Sequence, residues 1–120
     1  ELTVTILDGK ALPVVEIKPL DGWYDYQNKY NKGRTEYIVP ARLETATSEL
    51  MQLYAQRIFK AVGCRSYARI DFRFDGSKAW FLEVNTLPGM TSLSLTPMAA
   101  RAAGLSFGDL LTKIINSTGA

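Results

Sequence analysis

Residues 68–92 read ARIDFRFDGSKAWFLEVNTLPGMTS, and the fold turns on how the two halves of this stretch pair. Apolar and charged residues alternate on both sides of Asp75-Gly76, as in two half-buried antiparallel strands, roughly Ser66 to Asp75 and Lys78 to Asn85. Ala68, Ile70, Phe72 and Phe74 share one face of the first strand, and Trp80, Leu82 and Val84 share one face of the second. Both sets reach one core only if Phe72 lies opposite Leu82. A strict two-residue Gly76-Ser77 turn sets the other parity and would turn one apolar set outward. The pattern therefore predicts an odd loop or a bulge around Asp75 to Ala79. In that register Asp71 lies opposite Glu83, and Arg69 lies opposite Asn85.

Charge thus gathers on one side of the hairpin. Two carboxylates facing each other across a strand pair repel by roughly 0.2–1 kcal/mol when exposed, and by more when dehydrated, unless a cation separates them. Arg69 and Arg73 supply part of that cation. A hard divalent ion supplies more, because Asp, Glu and an Asn carbonyl are oxygen donors of the kind magnesium takes beside waters and phosphates. The competing reading is the solvated face of a half-buried sheet laced with salt bridges. A Pro-Gly loop rich in Thr and Ser directly after Asn85, where backbone N–H groups can receive an anion, supports the first reading. So does the origin of the two carboxylates on different strands. On the residues alone the two readings stand level.

Working outward, residues 1–19 (ELTVTILDGKALPVVEIKP) read as a hairpin about Asp8-Gly9, a residue pair suited to positive φ. Leu20 to Thr35 (LDGWYDYQNKYNKGRT) form a polar, aromatic loop that is long for a connection within a domain, with Trp23 and Tyr24 packing it onto the body. EYIVPA is a short strand stopped at Pro40. From Thr47 to Val62, Leu50, Met51, Tyr54, Ala55, Ile58, Phe59 and Val62 recur at helical spacing, with Thr47 and Gly63 as caps. A short helix opened by Pro97 and closed by Gly104 follows, then a final helix capped by Ser106. The class is α+β: a mostly antiparallel sheet with helices packed on one face.

Composition narrows the function. The 120 residues are 47% hydrophobic and 22% charged, enough for one core. A net charge of +2 with scattered basic residues argues against a nucleic-acid or membrane-surface partner. The single Cys64 forms no internal disulfide and reads as a buried small residue, and Met90 and Met98 read as core. The absence of histidine removes imidazole chemistry and argues against structural zinc. No apolar run approaches the roughly 18–20 residues of a membrane span, so a cytoplasmic address is expected. The chain opens inside a strand at Glu1 and is expected to be part of a longer polypeptide.

At YDYQNKY, RIDFRF, LEVNTLPGMTSLSL and PMAARAAGLSF the sequence resembles the D-alanine–D-alanine ligase family of the ATP-grasp superfamily, in order over essentially the whole chain. The resemblance implies the carboxy-terminal part of an ATP-grasp domain, residues 1–120, in a ligase of peptidoglycan synthesis. It implies ATP as co-substrate, two magnesium ions (manganese being an alternative), D-alanine as substrate, the remainder of the same polypeptide as partner, and a homodimer. Asp71, Glu83 and Asn85 match the family's metal ligands, Glu83 bridging both ions. Arg69 and the Gly89 N–H match the groups that stabilise the acyl phosphate and the tetrahedral oxyanion. Ser94 and the Leu95 backbone match the holder of the second D-alanine's carboxylate. Lys29 matches the loop lysine that reaches the γ-phosphate, Tyr30 the loop tyrosine that hydrogen-bonds to the rest of the site when the loop closes, and Glu1 the glutamate that binds the ATP ribose hydroxyls. The NKY loop favours D-alanine over D-lactate as second substrate.

The family's amino-terminal domain and adenine-binding segments have no counterpart in these residues, so the chain alone is expected to be inactive. Three other readings compete: a different ATP-grasp carboxylate–amine ligase, such as one making D-alanine–D-lactate; a non-catalytic magnesium-nucleotide-binding fragment; and a purely structural domain.

Overall fold

The β-branched run Thr3-Val4-Thr5-Ile6 makes β1 (Leu2–Leu7) the central strand, and all six of its residues are buried. The computed structural model describes residues 1–19, 35–91 and 94–117. After β1 the chain reverses at Asp8-Gly9, where φ is 52° and 78°, the doubly positive pair of a tight hairpin turn. It returns as β2 (Lys10–Ala11), with Leu7 opposite Lys10, and then as β3 (Val15–Pro19), with Thr3 opposite Val15. β4 (Thr35–Ile38) extends the sheet beyond β3. On the other side of β1 lie β5 (Tyr67–Phe74) and β6 (Ala79–Asn85). The order is β4-β3-β1-β5-β6, with β2 appended to β1 and every pairing antiparallel.

Alternation along β1 divides the packing. Leu2, Val4 and Ile6 join Ala68, Ile70 and Phe72 under α1 (Thr45–Val62), which buries Met51, Ala55 and Phe59, a stripe at i, i+4, i+8. Leu50, Tyr54 and Val62, expected on that stripe, lie on its exposed flank. The helix begins at Thr45 rather than at Thr47, and Glu44 at the cap position makes no side-chain bond to it. Its end is as expected: Gly63 at φ 80° lets the Gly63 and Cys64 N–H groups donate to the Lys60 and Phe59 carbonyls at 3.1 and 3.0 Å.

The opposite face of β1 carries Thr3, Thr5 and Leu7. Leu7 packs with Val15, Ala99, Ala100 and Leu110 beneath α2 (Leu95–Ala102) and α3 (Phe107–Ser117). The α+β antiparallel class holds, but helices cover both faces of the sheet rather than one, because β1 is apolar on both sides at its Leu7 end. Pro97 is the third residue of α2, not the first, where its missing N–H still costs no helical hydrogen bond. α3 opens on a reciprocal cap: Asp109 N–H donates to Ser106 Oγ and Ser106 N–H to Asp109 Oδ2, both at 3.0 Å.

Candidate functional site

The hairpin of β5 and β6 carries the charged face, and its parity is resolved in an unexpected place. The turn is tight: Asp75 N–H donates to the Lys78 carbonyl at 3.1 Å and Gly76 sits at φ 97°. Asp75 Oδ1 accepts the Ser77 and Lys78 N–H groups at 2.8 and 2.6 Å, which holds its carboxyl below the usual pKa. The pairs nearest the turn are therefore Phe74 with Ala79, Arg73 with Trp80 and Phe72 with Phe81. Between Asp71 and Phe72 the register shifts, leaving Leu82 as the extra residue of a bulge. Beyond it Asp71 faces Glu83, Ile70 faces Val84 and Arg69 faces Asn85.

The expected bulge thus exists, in mid-strand rather than at residues 75–79. Phe72 meets Phe81, ring centroids 6.5 Å apart and edge-on, not Leu82. Ala79, Phe81 and Val84 lie on the Phe72 face, and Trp80 shares the polar face with Glu83 and Asn85, which corrects the grouping of Trp80, Leu82 and Val84.

Burial on the polar face is graded from β1 outward. Asp71 is 2% exposed and Arg69 8%, whereas Glu83 and Arg73 are exposed and Asn85 is half-buried. Arg69 Nε and Nη2 donate to Asp71 Oδ1 and Oδ2 at 3.0 and 3.1 Å, a two-pronged pair that fixes the guanidinium plane. Arg69 therefore neutralises Asp71 rather than bridging Asp71 to Glu83. Removing Arg69 alone would strand a buried carboxylate at a cost of about 3–5 kcal/mol. Thr3, opposite Asp71 on β1, donates from Oγ1 to Asp71 Oδ1 at 2.6 Å. Asn85 Oδ1 accepts the Leu87 N–H at 3.1 Å, turning the chain out of β6.

The loop beyond β6 folds back onto the start of α2. A Cβ on Gly89 would stand 2.8 Å from Ser94 Oγ, so these two expected site residues are neighbours. Ser94 Oγ accepts the Thr91 N–H at 3.1 Å and lies 2.8 Å from Thr91 Oγ1, while Ser94 makes no side-chain cap to its own helix. Leu95 is the first residue of α2. A buried contact of 3.2 Å between Thr96 and Thr5 hydroxyls ties this helix start to β1, where Thr5 faces Arg69. Glu1 precedes β1, two residues from Thr3, and its carbonyl accepts the Ile17 N–H at 2.8 Å. Lys29 and Tyr30, like Trp23 and Tyr24, lie outside the described residues.

Thr3, Thr5 and Thr96 escaped the sequence reading, since threonine on a strand is ordinary. The signal was parity: Thr3 and Thr5 oppose Asp71 and Arg69. Among the described residues no three His, Cys, Asp or Glu side chains cluster. Asp71 and Glu83 face each other across the ladder with Asn85 two residues further along the same face of β6, oxygen donors of the kind a hard cation takes beside water and phosphate. Among the described residues Asp71 retains room for one: of about four carboxylate lone-pair positions, Oδ1 fills two and Oδ2 one.

The open antiparallel α+β sheet has the architecture of an ATP-grasp carboxy-terminal subdomain. Residues 1–116 match the family described as D-ala D-ala ligase C-terminus, and the chain belongs to that family. The D-alanine–D-alanine ligase of Methylacidiphilum infernorum is 52% identical over 116 residues, and that of Syntrophotalea carbinolica 47% over 115; each alignment covers 96% of this chain and 38% of the relative. The crystal structure of D-alanine–D-alanine ligase from Bacillus anthracis superposes with a TM-score of 0.82 at 37% identity, covering 97% of this chain and 38% of that one. VanG D-Ala:D-Ser ligase from Enterococcus faecalis gives 0.81 at 34%, covering 96% and 35%. The chain therefore spans little more than a third of the proteins it matches.

Proposed function

We propose that this chain is the carboxy-terminal part of a D-alanine–D-alanine ligase and carries the phosphate- and metal-facing side of its active site. The observation that supports this most is the opposition of Asp71 to Glu83 and of Arg69 to Asn85 in a chain of this family. In this reading ATP phosphorylates the carboxylate of one D-alanine. The amine of a second D-alanine attacks the acyl phosphate, and phosphate leaves from the tetrahedral adduct. Asp71, Glu83 and Asn85 would hold two magnesium ions, with manganese an alternative, and Glu83 is the ligand that both ions would share. Bound there, the ions neutralise phosphate charge and orient the transferred group.

The chain's own groups do the rest by position. Arg69, its plane fixed by Asp71, donates to the acyl phosphate and the oxyanion together with the Gly89 N–H. Ser94 and the Leu95 N–H receive the second D-alanine's carboxylate at the start of α2, where the helix end favours an anion. By their match to the family's motif, Lys29 is assigned to the γ-phosphate, Tyr30 to a hydrogen bond with the rest of the site and Glu1 to the ribose. The remainder of the polypeptide supplies the adenine cleft and the first-substrate pocket, and the enzyme is a cytoplasmic homodimer serving peptidoglycan synthesis. Among the described residues no helix is long and apolar enough to cross a membrane.

The test is D-alanine-dependent phosphate release from ATP by the full polypeptide. The reading requires release that depends on D-alanine and is abolished in Glu83→Gln. D-serine as second substrate is the other reading, favoured by the likeness to the D-Ala:D-Ser ligase. Offering D-serine, D-lactate or D-alanine against limiting D-alanine, and identifying the product by mass, decides between them.

A further inference from the structure

The least explained group beside the site is the Thr3 hydroxyl. Thr3 is 1% exposed and sits on the central strand, directly opposite Asp71. Its Oγ1 lies 2.6 Å from Asp71 Oδ1 and 3.4 Å from the Ile70 carbonyl, so the carboxylate is its principal acceptor. Arg69 already grips both Asp71 oxygens, at 3.0 and 3.1 Å. A second donor on Oδ1 is not needed to neutralise Asp71. What it changes is the symmetry of the carboxylate. Each oxygen accepts about two hydrogen bonds, so among the described residues Thr3 and Arg69 Nε together fill Oδ1 while Oδ2, with Nη2 alone, keeps a free lone pair. The two donors come from different strands, so the carboxylate cannot rotate about its Cβ–Cγ bond without breaking bonds to both.

We propose that Thr3 is a positioning residue: its hydroxyl saturates Asp71 Oδ1 and thereby fixes Oδ2 as the oxygen offered to a divalent cation. This rests on the reading of Asp71 as a cation ligand. Partners behind a metal ligand orient it and raise its affinity, and their loss typically weakens metal binding about 10–100-fold. Thr3→Val keeps the shape and the β-branch of the side chain and deletes only the donor. Thr3→Ser keeps the donor and deletes the methyl.

The experiment is a titration of the full polypeptide with Mn2+ in the presence of ADP, read by the electron paramagnetic resonance signal of free Mn2+, with melting temperatures beside it. Thr3→Val should weaken Mn2+ binding about 10–100-fold while still melting cooperatively, and Thr3→Ser should bind as the unsubstituted protein does. Where Thr3→Val fails to fold, Thr3→Cys, a poorer donor of similar size, takes its place with the same expectation. Unchanged Mn2+ affinity in the donor-deleted variant overturns the proposal, and so does a loss in Thr3→Ser as large as in Thr3→Val, which would mean the methyl's packing matters instead. Asp71→Asn separates the two levels. If it weakens Mn2+ binding and Thr3→Val does not, Thr3 alone is wrong; if it leaves binding unchanged, Asp71 is not a ligand and both readings fall.

Discussion

Gly89 is required by a neighbour rather than by its backbone: its φ lies outside the left-handed region, and the constraint is Ser94 Oγ, 2.8 Å from where a Cβ would sit. That oxygen is pinned by Thr91, so it cannot simply swing away. Gly89→Ala should therefore displace Ser94 and cut turnover with D-alanine by about a hundredfold, the usual consequence of misplacing a positioning group by an ångström. ATP affinity should stay unchanged, and steady-state kinetics in the two substrates read the difference. Among the described residues three carboxyls are held below their usual pKa by hydrogen bonds: Glu16 by the Arg42 side chain, Asp75 by the Lys78 and Ser77 N–H groups, and Asp109 by Ser106. Since the folded values lie below the unfolded ones, their stabilisation is complete only above about pH 5, clear of the unfolded carboxyl values, and drains away as pH falls through the folded values. The melting temperature should accordingly drop below about pH 5. Asp75→Ala should lower it at pH 7 and reduce the further drop on acidification.

The bulge in β6 separates what parity can foretell from what it cannot. Two apolar sets on two strands require one extra residue, and that requirement was legible in residues 68–92. Its position was not, because any place between the turn and Glu83 satisfies the same count. Turn chemistry decided it: Asp75 Oδ1 and Gly76 close a two-residue turn, which pushes the extra residue up the strand to Leu82. The opposition of Asp71 to Glu83 and of Arg69 to Asn85 survived because it depends only on the count. Deleting Leu82 should leave a regular ladder that keeps Phe81 opposite Phe72 and Glu83 opposite Asp71, with Glu83 and Asn85 still on the polar face. We expect a protein that is still folded by circular dichroism and still releases phosphate with D-alanine. Lost turnover in a folded variant would show that the local twist of the bulge, and not the pairing alone, aims those side chains. The helix limits were less legible than the strands, since Glu44 starts α1 with no side-chain cap to mark it.

At the level of the chain, helices on both faces follow from β1 being apolar on both sides at one end, a pattern that a sequence of alternating Val, Ile and Thr conceals. Among the described residues nothing pairs with the outer edge of β6. Trp80, Phe81 and Leu82 are each about half exposed, at 49%, 50% and 46%, and Leu87 in the following loop is 82% exposed. An edge strand with apolar side chains on both faces and unpaired backbone groups invites another strand or chain. The relatives are longer than this chain, which covers 38% of their length, and on the proposal that the chain is part of such a ligase the remaining polypeptide would shield that edge. The isolated 120-residue chain should then self-associate in a concentration-dependent way that the full polypeptide does not share. Sedimentation of the fragment at rising concentration reads this directly, and Leu82→Lys, which places a charge on the bulge, should reduce it. If the fragment remains a monomer at all concentrations, the open edge is tolerated by this fold, and shielding of β6 is not what the rest of the polypeptide provides.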